Sequence, residues 1–243
     1  MKEIIKKKAC INKSDLMKEY VSIASHQLRG PMASLKWYGN LLAKGDAGSL
    51  TKKQKEYIKR MNISTQRLIS LVDDFLDVSV IELGEAKFKK TNVDIPRLVK
   101  NIIDNNKYLL HQKTVKSRFS NQLDKHTLKI DAELVREVYA NLISNAVKYS
   151  KRGGKINVKL YKKGKEVVLE VKDFGLGIPD EEQKHITDKF FRASNALKSG
   201  TKGTGLGLYT TWLLLQRMDG KIWFESKEGT GSTFWVSIPA KLR

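Results

Sequence analysis

The first third of the chain carries two apolar stripes at helical spacing with a glycine break between them, and this pattern leaves the segment few folds. Tyr20, Ala24, Leu28, Met32, Leu35, Tyr38 and Leu42 recur every three or four residues, which places them on one face of an α-helix. Leu68, Leu71, Val72, Phe75 and Leu76 repeat the device. Between the arms, Gly45 and Gly48 stop one helix, and Ser49 or Thr51 can cap the next. Two helices with one apolar stripe each cannot bury those stripes alone. Pairing two such hairpins into a four-helix bundle is the expected solution, so a homodimer is anticipated. The competing arrangement packs the stripe on the rest of the same chain.

From about residue 88 the period changes. An extended stretch (F-K-K-T-N-V-D-I) leads to a helix over 96–111, capped by Asp94 and with Pro96 in its first turn. Strand-like runs follow at 117–122 and 127–130. Asp131 then caps a helix reaching about Ser150, and 155–161 and 166–173 alternate around the turn K-K-G-K. Residues 206–218 are helical again, and 221–226 with 231–239 form a closing hairpin around K-E-G-T. Helices and strands in this mixed order indicate a two-layer α+β sandwich behind the helical hairpin.

Composition excludes several classes. No run of about 18 apolar residues exists to span a bilayer, and the amino terminus has no apolar signal core. The chain is therefore expected to be cytoplasmic or cytosol-facing. One cysteine, Cys10, rules out an internal disulfide, and no Cys/His spacing suits structural zinc. The formal charge of +20 raises nucleic acid as a partner, but it is spread through both parts of the chain, without base-stacking or groove-reading motifs. A solvated basic surface is the favoured reading, and no nucleic acid is expected.

Three motifs in fixed order carry the chemistry: E-V-Y-A-N-L-I-S-N-A-V-K-Y, then D-F-G-L-G, then G-T-G-L-G-L. In the first, Glu137, Asn141, Asn145 and Lys148 form a polar stripe opposite the apolar Leu134, Val138, Leu142 and Ala146. Two amides and an acid in line suit Mg²⁺, and Lys148 suits phosphate. Asp173 closes a strand, where its carboxylate can accept a hydrogen bond from an exocyclic amine such as that of adenine. Gly175 and Gly177 let the backbone approach the ring. Gly203, Gly205 and Gly207 open the next helix, whose free N–H groups favour phosphate. Residues 178–202, polar and carrying Phe190–Phe191, read as a mobile lid. Together these are the parts of a nucleotide pocket.

His26 is the remaining reactive group. It lies about 200° round its helix from the Ala24–Leu28 stripe, so it is expected to face solvent. Pro31, five residues on, is expected to bend the helix, with Gly30 easing the bend.

At this point the chain resembles the sensor histidine kinases of two-component systems. S-H-Q-L-R-G-P resembles their phosphoacceptor box, and the later motifs resemble their asparagine, glycine and phenylalanine boxes, in order, over nearly the whole chain. The resemblance implies a helical linker (1–13), a dimerisation and phosphotransfer hairpin (14–86) and a catalytic ATP-binding domain (87–243) of the type shared with gyrase and the ninety-kilodalton chaperone. It implies His26 as phosphoacceptor with Gln27 beside it, Arg192 on the transferring phosphoryl, Asn141 and Asn145 as Mg²⁺ ligands, and Lys148, Tyr149 and Asp173 on ATP. Gly175, Gly177, Ile178, Gly203, Thr204, Gly205, Leu206 and Gly207 would shape the pocket and its hinges. A response-regulator aspartate would then take the phosphoryl group. The 1–13 segment points to the cytoplasmic part of a longer membrane receptor, or to a chain that takes its input from another subunit.

The departures from the pattern lie mostly in the acceptor. Gln27 replaces the usual acid and can hydrogen-bond an imidazole but cannot accept its proton. Gly30 replaces a threonine, so weak phosphatase activity is expected. Thr187 and Lys189 replace a Phe and an Arg in the lid. Two other functions compete: an ATP-driven conformational machine in which Glu137 activates water, and a nucleic-acid-binding dimer, which requires salt-steep binding.

Overall fold

The computed structural model describes residues 13–83, 89–123 and 127–240, and of residues 13–22, 25 and 26 the backbone alone. The expected linker up to residue 12 and the exposure of the His26 ring lie outside the described residues. The chain divides into two compact units, Met1–Ala86 and Lys87–Arg243.

The first unit is a hairpin of α1 (Lys13–Lys44) and α2 (Lys52–Glu82). α1 is assigned without interruption through Gly30 and Pro31, and Ser34 Oγ donates to the Gly30 carbonyl at 3.1 Å. Gly45 and Gly48 take positive φ (85° and 104°), the backbone sign that only glycine adopts freely. Thr51, not Ser49, caps α2. Its Oγ1 accepts the Gln54 N–H at 3.3 Å while Gln54 Oε1 accepts the Thr51 N–H at 2.9 Å, a reciprocal box worth about 1 kcal/mol.

Only part of each apolar stripe is covered. Met32 and Leu76 are buried, while Leu28, Leu35, Tyr38, Leu68 and Phe75 are between 45% and 60% exposed. The helices touch at Gly39, whose carbonyl accepts from Asn62 Nδ2 at 3.1 Å and where any Cβ would overlap Asn62 Oδ1.

The second unit runs β1 (Lys90–Asp94), α3 (Ile95–Asn105), α4 (Lys107–Lys113), β2 (Lys116–Asn121), β3 (Thr127–Asp131), α5 (Ala132–Tyr149), β4 (Lys155–Lys163) and β5 (Glu166–Asp173). A loop with one 3₁₀ turn (Asp180–His185) and the short α6 (Ser194–Lys198) lead to α7 (Gly207–Arg217), β6 (Lys221–Lys227) and β7 (Gly231–Pro239). One sheet has strand order β2-β4-β5-β7-β6, with β2 and β4 parallel and the other pairs antiparallel; β1 and β3 form a separate antiparallel pair.

Asp94 caps α3 as expected, accepting the Arg97 N–H at 3.0 Å. The single helix expected over 96–111 is instead two. Asn106 leaves helical geometry (φ −89°, ψ 1°), and its side chain donates to the Ile102 carbonyl at 2.9 Å, satisfying the end of α3 before α4 begins. The apolar face of α5 is also wider than expected. Val135, Tyr139, Ile143 and Val147 are buried beside Val138, Leu142 and Ala146, whereas Leu134 is only half-buried. The cause is packing from several sides, since α5 touches α3, α4 and α7 as well as the sheet. Ile156, Val158 and Leu160 of β4, Leu169 of β5 and Val236 of β7 are fully buried on the sheet side, each worth about 1.5–3 kcal/mol of transfer free energy.

Candidate nucleotide site

α5 begins where Asp131 Oδ1 accepts the Glu133 and Leu134 N–H groups at 3.0 and 3.2 Å. That start sets the phase of its polar stripe. Glu137 is exposed, and the two amides form a chain: Asn145 Nδ2 donates to Asn141 Oδ1 at 3.2 Å, and Asn141 Nδ2 donates to Thr211 Oγ1 of α7 at 2.7 Å. Asn141 therefore spends both ends of its amide inside the protein. Asn145 spends only its N–H₂ there, which leaves its carbonyl oxygen for the cleft it lines. Among the described residues no group of three His, Cys, Asp or Glu is placed to hold a metal ion.

Asp173 closes β5 and is 5% exposed. Its Oδ1 accepts the N–H of Gly175 at 2.9 Å and of Ser232 at 3.3 Å. Burial pushes its pKa up to about 6, against the opposing pull of those two N–H groups. At Gly175 a Cβ would overlap the Tyr149 carbonyl, so the acid's loop sits flush on the end of α5. Leu176 N–H seals that contact by donating to the same carbonyl at 3.2 Å.

The lid folds back over this surface. Gly205 (φ 81°) lies against the Phe190 backbone, where a Cβ would come within 2.5 Å of the Phe190 carbonyl carbon. Thr204 Oγ1 accepts the Leu206 N–H at 3.4 Å. Gly207 opens α7 directly over Asn141, and no side chain caps that helix start, so its first N–H groups remain available to an anion. Lys189 Nζ stands 5.0 Å from the centre of the Tyr209 ring, so this lid is anchored to α7 by a cation–π contact. Arg192 donates from Nη2 to the Thr201 carbonyl and is hydrogen-bonded to the Tyr149 hydroxyl, while its buried Nε has no partner. Burial raises the Tyr149 pKa, and Arg192 opposes that rise.

The resulting cleft encloses about 600 Å³ of space open to solvent. Of the residues expected from sequence, Asn145, Tyr149, Asp173, Gly177, Ile178 and Arg192 line it. Asn141, Lys148, Gly175 and the run Gly203, Thr204, Gly205, Leu206 and Gly207 do not line it. His26 and Gln27 belong to the other unit. Ser232, Phe234, Leu208 and Asn195 also line the cleft and were not anticipated. Ser232 had a legible signal: it follows Gly231, whose Cβ position falls on the Asp173 carbonyl, so a glycine inside a strand marked close backbone approach. Phe234, Leu208 and Asn195 gave none beyond ordinary core and lid composition.

An acid at a strand end and an amide-bearing helix beside one cleft of a mixed sheet suit an ATP-binding sandwich, here following a helical hairpin. Residues 130–242 match the family described as histidine kinase-, DNA gyrase B-, and HSP90-like ATPases, and residues 16–84 match the His kinase A (phospho-acceptor) domain. The chain belongs to the sensor histidine kinases of two-component systems.

It is 32% identical over 223 residues to the circadian input-output histidine kinase CikA of Synechococcus elongatus, covering 91% of this chain and 30% of that protein. It is also 32% identical over 226 residues to the sensor histidine kinase WalK of Bacillus subtilis, covering 92% and 37%. The chain thus spans about a third of the length of these relatives. Full-length ShkA in complex with AMPPNP shares the fold, with a TM-score of 0.76 at 24% identity over 91% of this chain and 45% of that one. The catalytic domain of histidine kinase ThkA gives 0.55 at 25% identity over 64% and 97%.

Proposed function

We propose that this chain is the catalytic core of an ATP-dependent protein histidine autokinase that phosphorylates His26 and passes the phosphoryl group to a response-regulator aspartate. The observation that carries the nucleotide reading is the cleft itself, where buried Asp173, the free carbonyl oxygen of Asn145 and Arg192 converge.

Asp173 takes the adenine amine, and Ile178 and Phe234 bound the base. The uncapped start of α7 and Lys148 take phosphate. The donor set suits Mg²⁺ through Asn145 directly, with Asn141 fixing that amide, and the ion would neutralise phosphate charge. A neutral His26 ring nitrogen attacks the γ-phosphorus: an N–P bond forms, the bond to the bridging oxygen breaks, ADP departs, and Arg192 balances charge on the moving phosphoryl. Gln27 hydrogen-bonds the imidazole without taking its proton.

The exposed Leu28, Leu35, Tyr38, Leu68 and Phe75 support a homodimer through the hairpin. No helix among the described residues is long and apolar enough to cross a membrane, and ATP supply favours a cytoplasmic setting. Gly30 has no side-chain hydroxyl or amide to position water for dephosphorylation, which supports weak phosphatase activity. The alternative of an ATP-driven conformational machine is not favoured, because 16–84 matches a phosphoacceptor domain.

Calorimetry with ATP and Mg²⁺ tests the pocket. Binding is expected in the wild type and at least about tenfold weaker in Asn145→Ala; equal affinity would remove Asn145 from the site.

A further inference from the structure

α5 carries Asn145, Lys148 and Tyr149 on its final turns, so the geometry of the cleft depends on how that helix ends. Its own sequence supplies no glycine cap. Ser150, at its C-terminal boundary, has extended backbone (φ −61°, ψ 145°). The carbonyls of the last turn are orphans by construction and must find donors elsewhere.

Their partners can be traced one by one. Ala146 O accepts from Ser150 N–H at 3.1 Å and Ser150 Oγ at 2.7 Å. Tyr149 O accepts from Leu176 N–H of the glycine loop at 3.2 Å. The other three converge on one side chain: Lys113 Nζ, from the end of α4, donates to Val147 O at 3.3 Å, to Ser150 O at 3.2 Å, and to Lys148 O. All three ammonium donors are used.

Two features show that this lysine is held in place and not merely resting on a surface. No carboxylate pairs with it among the described residues, and its three donors go to backbone carbonyls, while partial burial lowers its pKa. The main chain around it is pinned as well. Gly153 N–H donates to Lys113 O at 2.9 Å, Lys116 N–H donates to Gly154 O at 2.9 Å, and Thr114 between them adopts φ 55°, an uncommon conformation for a β-branched residue. The surroundings thus hold the α4–β2 corner against the end of α5 at some conformational cost.

We propose that Lys113 is a positioning residue of the nucleotide site, stapling the last turn of α5 so that Tyr149 lines the cleft and its carbonyl stays in register with the Gly175–Leu176 loop that follows Asp173. The tolerance is small, because a Cβ at Gly175 already overlaps that carbonyl. A cation at a helix C-terminus also stabilises the helix dipole, and here the same charge fixes the ligand-bearing turn. The inference rests on the nucleotide reading given above.

The test uses the full chain with Lys113→Met, which keeps the stem and removes the donors, and Lys113→Arg, which restores charge and donors. Expected for Lys113→Met are faster hydrogen exchange at the Leu176 amide, an ATP Kd raised about tenfold, and kcat of self-labelling within about twofold, with Lys113→Arg recovering most of the affinity. Should Lys113→Met not fold, Lys113→Gln, which retains an N–H₂ on a shorter stem, carries the same comparison. A lowered melting temperature with unchanged Kd measured well below it would overturn the proposal and leave Lys113 a purely structural cap. The exchange measurement needs no nucleotide. Failure of the wild type to bind ATP would therefore count against the nucleotide reading, while unchanged Leu176 exchange in Lys113→Met would count against the staple itself.

Discussion

Asn141 Nδ2 donates to Thr211 Oγ1 at 2.7 Å, a single bond that ties the amide-bearing α5 to α7, the helix that opens at the glycine lid. Thr211 is 1% exposed and cannot turn to water for a substitute, whereas Asn141 is half-buried. Removing one member strands the other.

Thr211→Val keeps the side-chain shape and deletes the acceptor. A loss of about 1–3 kcal/mol in unfolding free energy is expected, together with weaker ATP binding as Asn141 and Asn145 lose their fixed orientation. Urea unfolding and calorimetry read the two effects; an unchanged midpoint would show that the bond contributes nothing.

Asp173 gives a pH dependence with a defined sign. Its folded pKa, about 6, lies above the ordinary 3.8, so the folded state favours the protonated acid. The associated stability is full below about pH 4 and is lost as pH rises through about 6. Asp173→Asn, which can still accept the Gly175 and Ser232 N–H groups, should remove that slope between pH 4 and 7 while lowering ATP affinity. Parallel slopes for the two proteins would refute the assignment.

At Gly39 the hairpin leaves no room for a methyl group, because the Cβ position overlaps Asn62 Oδ1. Gly39→Ala should destabilise the hairpin by about 1–3 kcal/mol, and adding Asn62→Ala should recover part of the loss. Thermal unfolding of the two variants checks this. No recovery would place the strain outside the pair.

Gly205→Ala combines a positive φ with a contact against the Phe190 backbone, which cannot rotate away as a side chain can. The lid turn should reorganise, lowering ATP affinity by about tenfold or more, whereas Gly203→Ala, whose Cβ meets nothing nearer than 3.8 Å, should be mild. Equal effects of the two substitutions on ATP Kd would contradict this account of the lid.

These residues also show what could be read without coordinates. Helical period, Gly45 and Gly48, and the caps Asp94 and Asp131 are local signals, and local physics placed the corresponding elements within a few residues. The motif order pointed to a cleft, and Asn145, Tyr149, Asp173, Gly177 and Ile178 line it, whereas Asn141, Gly175, Gly203, Gly205 and Gly207 do not. Contacts remote in sequence left no such trace. Nothing in the composition of α7 marks Thr211 as the partner of Asn141 seventy residues away. The break at Asn106 was hidden because asparagine is an ordinary, if weak, helix residue until its side chain turns back on the Ile102 carbonyl. The parallel pairing of β2 with β4 likewise depends on tertiary packing, not on strand composition.

The reading proposed above requires a nucleotide bound beside Asp173 to deliver its terminal phosphoryl to His26. Incubation of the wild type and of His26→Gln with γ-labelled ATP and Mg²⁺, followed by acid and alkali treatment, tests it most directly. Acid-labile, alkali-stable label is expected on the wild type and none on His26→Gln. Full labelling of His26→Gln would contradict it.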